Sequence, residues 1–265
     1  MNWLYYDTPP QKGATNMAID EAILDTVPEG SIVFRTYTWK PACLSLGVFQ
    51  KIESVNRLEL EKRSIDLVRR PTGGRAVLHD KELTYSIVVK APNPILDESI
   101  LSSYYGLCEG IVEGLRLLGL SAHLKKLDDP ELNTASCFAA PTFNDIEVMG
   151  KKIVGSAQMR NKNGLLQHGS ILIDVDVEEI FAVLTTDNSN YSNLAKRAKT
   201  KITSINSEFD GQKIGSIEVR EAMVEGFKSK FGVRFDSFIP TSSFYDAKRV
   251  LEENKYSSKQ WTENR

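Results

Sequence analysis

Three stretches of this chain combine residue types that do chemistry. The first is Arg69-Arg70-Pro71-Thr72-Gly73-Gly74-Arg75-Ala76-Val77-Leu78-His79-Asp80, with two adjacent glycines among three arginines. Paired glycines let a backbone approach a ligand closely and aim amide donors at it. The arginines supply fixed positive charge suited to a carboxylate, a phosphate or a polarised carbonyl. A plain glycine hairpin with solvated arginines fits the same letters. The spacing matches neither a Gly-x-Gly-x-x-Gly dinucleotide turn nor a Gly-Lys-Ser/Thr phosphate loop.

The second stretch is Gly150-Lys151-Lys152-Ile153-Val154-Gly155-Ser156-Ala157-Gln158. On a strand the two lysines point to opposite faces, so at most one is solvated in the usual way. A lysine turned inward can exchange protons near neutrality or, while charged, stabilise a thiolate. Two edge lysines that discourage aggregation are the alternative. The third stretch holds Cys137, in Thr134-Ala135-Ser136-Cys137-Phe138-Ala139-Ala140-Pro141. Neither core periodicity nor strand alternation demands a cysteine there, and a nearby cation would make its thiol a nucleophile. Cys43 and Cys108 fall in apolar patterns and read as small core residues. Of the histidines, His123 reads as a surface or strand residue, and His79 or His168 could serve Cys137 as a general base. No pair has metal-ligand spacing, so no metal site is expected. Nothing in the spacing favours a Cys–His protease.

The elements that must position these groups are short. Strands are expected over residues 2–6, 31–37, 43–49, 66–70 and 82–90, the last two on either side of the glycine turn. Helices are expected over 14–26, closed by Pro28 and Gly30, and over 98–118, stopped near Gly119. A hairpin turns at Met149-Gly150 between 146–148 and 152–159. A strand over 167–175 and helices over 177–184 and 216–231 follow. This mixture predicts an α+β fold with a mixed, largely antiparallel sheet flanked by helices. One catalytic domain is expected over residues 1–250, with 251–265 as a solvated helix or tail.

Composition bounds the function. The 265 residues are 41% hydrophobic and 26% charged, an ordinary globular balance with room for a full core. Thirty-three basic against 35 acidic residues leave a net charge of −2, which argues against nucleic acid as a partner. No apolar run reaches the ~18 residues of a membrane span, and the first residues do not read as a secretory signal. Three widely spaced cysteines make no disulfide framework. A cytoplasmic setting, with no membrane partner, is expected.

Taken in order, these segments resemble the lipoate/biotin protein ligase superfamily, and within it the octanoyltransferases of the LipM type. The likeness runs through Asn16-Met17-Ala18-Ile19-Asp20-Glu21-Ala22, then Trp39, Pro41 and Leu44-Ser45-Leu46-Gly47, then residues 69–86. It continues through residues 136–141, 150–158 and Leu166-Gln167-His168-Gly169-Ser170-Ile171. The resemblance implies the catalytic-domain fold of those ligases. It also implies movement of an octanoyl group from octanoyl-acyl carrier protein to a lysine of the glycine-cleavage H protein, with no cofactor. Cys137 would carry the acyl group as a thioester, with Lys152 as its partner. The acyl pocket would involve Trp39, Arg70, Gly73, Gly74, Arg75, His79, Gly155, Ser156, Ala157, His168 and Gly169. Two related activities compete: an ATP-dependent lipoate–protein ligase, and an amidotransferase moving octanoyl from H protein to lipoyl domains. The basic run Lys196-Arg197-Ala198-Lys199-Thr200-Lys201-Ile202-Thr203-Ser204-Ile205 resembles the loop that ligases fold over the adenylate. It also reads as a solvated loop, or as a docking site for acidic carriers. Against the ligase, the chain is short for members with an extra C-terminal domain, and a ligase has no use for a nucleophile at Cys137.

Overall fold

A computed structural model describes residues 3–125, 145–184, 191–209, 211 and 213–264. Its elements in order are β1 (Trp3–Asp7), α1 (Gly13–Thr26), β2 (Ile32–Tyr37), β3 (Cys43–Leu46), α2 (Arg57–Arg63), β4 (Asp66–Arg69), β5 (Val77–His79) and β6 (Glu82–Lys90). Then come α3 (Ile100–Leu117), β7 (Ala122–Leu124), β8 (Asp145–Val148), β9 (Lys151–Asn161), β10 (Gly164–Leu172), α4 (Val177–Leu184) and α5 (Tyr191–Lys199). The chain continues through α6 (Ser216–Phe231), β11 (Phe235–Ser237), α7 (Ser242–Leu251) and α8 (Lys259–Glu263).

Eight strands form one sheet in the order β11-β1-β2-β6-β10-β9-β8-β7, and β4-β3-β5 form a smaller one. The β11-β1 and β1-β2 pairs are parallel. A helix between β1 and β2 gives the chain the crossover length that parallel pairing needs. The remaining pairs of the large sheet are antiparallel. This is the mixed, largely antiparallel sheet flanked by helices that the sequence predicts.

Strand β6 sits inside the large sheet and is buried along almost its whole length. Its alternation therefore divides two interiors. Leu83, Tyr85, Ile87 and Val89 pack with Tyr104, Leu107, Ile111 and Leu115 of α3 and Met223 and Phe227 of α6. Val88 on the other face packs with Val33, Leu166 and Ile19, Ile23 and Leu24 of α1. The same face carries Glu82, Thr84 and Ser86, all buried. Buried polar groups must find partners, and those partners build the site.

Three departures from the sequence reading bear on the site. The strands flanking the glycine turn do not form a hairpin, because β3 lies between β4 and β5. Strand β3 ends at Leu46, and the next residues turn back to meet that glycine turn. The last residues include the expected helix but are solvated on one side only: Tyr256 and Thr262 are buried, and Trp261 Nε1 donates to the Arg69 carbonyl at 2.8 Å. Trp261 supplies an apolar anchor that the surrounding Lys, Glu, Ser and Asn conceal.

Candidate active site

Two lateral rows of residues cross β9, β10, β6 and β2 on the face that carries α1. Register places Gly155, Ser170, Thr84 and Tyr37 in one row and Ala157, His168, Ser86 and Arg35 in the next. The row beyond them, Met159, Leu166, Val88 and Val33, is apolar. The floor thus grades from polar to apolar over three rows, with the small residues Gly155 and Ala157 at its open side.

The glycine turn is braced over this floor. Arg70 is buried and makes five hydrogen bonds, all to the turn and its neighbours. Its Nη2 donates to the carbonyls of Gly73 and Arg75, each at 2.7 Å. Its Nη1 donates to Ser45 O at 3.0 Å and Ser45 Oγ at 3.1 Å, and its Nε to Thr72 Oγ1 at 3.2 Å. A guanidinium has five N–H donors, so all are committed. Burial lowers its pKa to about 10. Arg69 is also buried, donating to Gly47 O, Gln50 O and Thr262 O. Of the three arginines read as charge for a ligand, only the Arg75 side chain is exposed. On the far side of the turn, a Cβ at Gly47 would lie 1.9 Å from the Gly74 carbonyl oxygen, so only glycine fits.

From Arg70 two polar chains run down to the floor. Ser45 Oγ lies 2.8 Å from His79 Nε2, and His79 Nδ1 lies 2.7 Å from Glu82 Oε1. The Glu82 carboxylate can only accept, so His79 Nδ1–H donates to it, and in the neutral ring Nε2 is then the acceptor for the Ser45 hydroxyl. The His79 ring stacks on Trp39, centroids 4.1 Å apart. Trp39 Nε1 donates to Thr84 Oγ1 at 2.7 Å, and Thr84 donates to Glu82. The second chain begins at Thr72 Oγ1, 2.6 Å from His168 Nε2. His168 Nδ1 lies 3.7 Å from Asp20 Oδ2, and Asp20 Oδ1 accepts from Arg35 at 2.7 Å and Ser86 at 2.7 Å. Burial holds the His168 imidazole below its usual pKa, against the opposing pull of Asp20. Burial would raise the Asp20 carboxyl, but Arg35, His168 and Ser86 outweigh it and hold it low.

Lys152 is held from both sides of its peptide. Its N–H donates to Lys201 O at 2.8 Å, and its carbonyl accepts from Thr203 N at 2.9 Å. Pairing of β8 with β9 shifts register beside it, as a bulge does. The side chain then lies across Gly155: a Cβ there would be 2.8 Å from Lys152 Cε and 2.9 Å from Nζ. Lys152 therefore shares the face of Ala157, His168 and Ser170.

The structure thus brings together Trp39, Arg70, Gly73, Gly74, His79, Lys152, Gly155, Ala157 and His168. It turns two expected site residues away. Ser156 Oγ lies 2.6 Å from Tyr85 OH on the α3 side, and a Cβ at Gly169 would strike Tyr85 Cε1 at 2.7 Å. Those two can offer the site only backbone. Cys137 lies outside the described residues. The other two cysteines are buried, and burial raises both thiols, Cys43 well above its usual value and Cys108 to about 12. Sequence reasoning missed Ser45, Thr72, Glu82, Thr84 and Ser170. The signal for Ser45, Glu82, Thr84 and Ser170 was polar residues in strands otherwise fit for burial, and Thr72 lies in the double-glycine turn. Ser170 Oγ and Glu82 Oε2 are buried without a hydrogen-bond partner, polar capacity facing the site. The basic run became the end of α5 plus a strap that clips onto Lys152, with Ile202 paired to it.

Among the described residues no group of acidic, histidine and cysteine side chains is placed to hold a metal ion, and no helix is long and apolar enough to cross a membrane. The large sheet, the braced double-glycine turn and the strand lysine together make one polar site. The chain belongs to the lipoyl protein ligase A/B catalytic-domain family, whose model matches residues 12–228. It is 39% identical to octanoyltransferase LipM of Geobacillus kaustophilus over 98% of this chain and 97% of that protein. It is 36% identical to octanoyltransferase LipM of Bacillus subtilis, over 99% and 98%. Among solved structures it is similar to the bi-partite lipoate protein ligase of Thermoplasma acidophilum, with a TM-score of 0.85 and 28% identity over 99% of this chain and 96% of that one. A lipoate-protein ligase A bound with ATP aligns with a TM-score of 0.82 at 27% identity, over 99% of each chain.

Proposed function

We propose that this chain moves an octanoyl group from octanoyl-acyl carrier protein, through a thioester on Cys137, to a lysine of the glycine-cleavage H protein. The observation that carries the reading is end-to-end similarity to octanoyltransferases, in a chain whose other two thiols are buried and hard to ionise. The Cys137 thiolate attacks the donor carbonyl, the new C–S bond forms, and the donor thiolate leaves and takes up a proton. This exchange of one thioester for another is close to isoenergetic. The acceptor lysine then attacks the Cys137 thioester, an amide forms, and the cysteine leaves as thiolate. Lys152 acts in both halves. Charged, it stabilises the thiolate; neutral, it takes the proton released by the attacking amine. Amides of the Gly73-Gly74 turn or of the Cys137 segment would stabilise the tetrahedral oxyanion.

Chain length does not separate this reading from a ligase, because the solved bi-partite ligase chain is matched over 96% of its length. Cys137 does separate them. The test is intact-protein mass spectrometry after mixing the protein with octanoyl-acyl carrier protein without ATP. A gain of one octanoyl group, removed by hydroxylamine and absent from Cys137→Ala, is the expected result. No adduct, with H protein modified once ATP and free octanoate or lipoate are added, would establish the ligase instead. Loading from octanoyl-H protein but not from the carrier would establish the amidotransferase.

A further inference from the structure

The basic run at residues 196–201 does more than clip Lys152. Lys196, Arg197, Lys199 and Lys201 are all exposed at the end of α5 and the turn after it, on a chain whose net charge is −2. The turn is tight: Lys201 N and Ile202 N both donate to Ala198 O, and Lys201 O accepts from Lys152 N. The backbone that carries these cations is therefore tied directly to the backbone of the site lysine. Beside them a cleft of about 690 Å³ is walled by Lys81, Lys151, Lys199 and Lys213, together with Asp174, Asp176, Glu178 and Glu208. Those four acids have internal partners. Glu178 pairs with Lys199 at 2.7 Å, and Asp174 accepts from Asn206 at 3.1 Å. Asp176 accepts from the Glu179 N–H at 3.0 Å, and Glu208 accepts from Thr203. The four lysines and four acids of the cleft wall balance, so the excess positive charge beside it lies on Lys196, Arg197 and Lys201 at the end of α5 and in the turn after it.

We propose that this α5 surface docks the acidic face of the protein that carries the acyl group, bringing its thioester arm alongside Lys152. The inference rests on the functional reading above for its partner. Cations in the last turn also suit the negative end of the α5 dipole, but that role makes Lys196 and Arg197 matter to stability and not to which donor is used. A docking role makes them matter to a protein donor, through an attraction that salt screens.

The experiment measures binding of acyl carrier protein by fluorescence anisotropy at low and moderate salt, and octanoyl loading of the enzyme from octanoyl-pantetheine, an uncharged small thioester. Wild type is compared with Lys196→Glu/Arg197→Glu. The expected result is carrier binding weakened at least about tenfold in the variant and by added salt in wild type. Loading from octanoyl-pantetheine should be unchanged, and the thermal midpoint should fall only by the few degrees that reversed charges at the α5 terminus cost. Carrier affinity equal in the two proteins overturns the proposal, as does a variant that loses carrier binding and small-thioester loading in proportion. Salt-sensitive carrier binding lost in the variant, with no loading from either donor in wild type, would keep the surface and refute the transferase.

Discussion

In the proposed transfer Lys152 is the residue on which the chemistry turns, and Gly155 leaves the space that its Nζ occupies. Lys152→Arg keeps charge but cannot act as a proton acceptor. That variant should fold and load from octanoyl-carrier, yet transfer to H protein should fall ~100-fold or more, the usual weight of general-base help. Single-turnover measurements of the two half-reactions check this; equal slowing of both would remove the proton-transfer role. His168 makes a different prediction. Its pKa is lowered in the fold, so the unfolded chain takes up a proton first as pH falls through about 6.5. The stability it contributes is full above that pH and declines below it, by at most about 1.4 kcal/mol per pH unit for one proton. Asp20 is held low, so its contribution persists until much more acid conditions. Urea midpoints between pH 7.5 and pH 5.5 should fall for wild type and fall less for His168→Gln. At this scale the chemical types were legible in the sequence, and so was the opposition of Lys151 to Lys152. What hid the roles of the two arginines is that Arg69 finds backbone carbonyls brought from Gly47, Gln50 and Thr262, while Arg70 spends three of its five donors on the carbonyls of Ser45, Gly73 and Arg75. No side-chain pattern marks such partners.

Between elements, the site depends on how the small sheet is pressed onto the large one. The contact between Gly47 and Gly74 and the Val48 N–H to Thr72 O bond at 2.9 Å hold the double-glycine turn against the end of β3. Gly47→Ala would drive a methyl group into the Gly74 carbonyl, and neither backbone has a flexible end that can give way. Overpacking of this kind costs about 1–3 kcal/mol, and here it also displaces the turn that Arg70 braces. Loading of Cys137 should therefore drop more steeply than the thermal midpoint. A variant that loses stability but loads at the wild-type rate would show that the turn does not shape the site. Strand β6 was readable because it carries Thr84, Tyr85, Ile87, Val88 and Val89, whereas β10, with only Ile171 of that kind, begins and ends three residues before the expected bounds. The partition into two sheets was not, since β4 and β5 flank a turn that looks like a hairpin and yet pair with β3. That choice is made by the apolar cluster of Leu44, Leu46, Leu60 and Leu78, residues far apart in the chain.

Across the whole molecule, the C-terminal residues and the site are joined through one guanidinium. Trp261 Nε1 donates to the Arg69 carbonyl, Arg69 Nη2 donates to Thr262 O at 2.8 Å, and Arg69 Nη1 donates to Gly47 O at 2.8 Å. Gly47 in turn abuts Gly74, so α8 supports the double-glycine turn from some 190 residues away in sequence. Trp261 also meets the Tyr256 ring edge-on at 6.1 Å and carries the Lys255 ammonium at 4.5 Å. Because the indole is only half-buried, Trp261→Ala should cost about 2 kcal/mol, the low side of a large-to-small replacement. In a chain of this size that lowers the thermal midpoint by roughly 4–8 °C. If the link through Arg69 is mechanical, the same variant should also slow octanoyl loading of Cys137 well below its melting range. Trp261→Phe should restore much of the stability through ring packing without restoring the bond to the Arg69 carbonyl. Loading that recovers fully in Trp261→Phe would show that α8 acts by packing alone. Loading that stays slow would place the Arg69 carbonyl bond in the support of the turn.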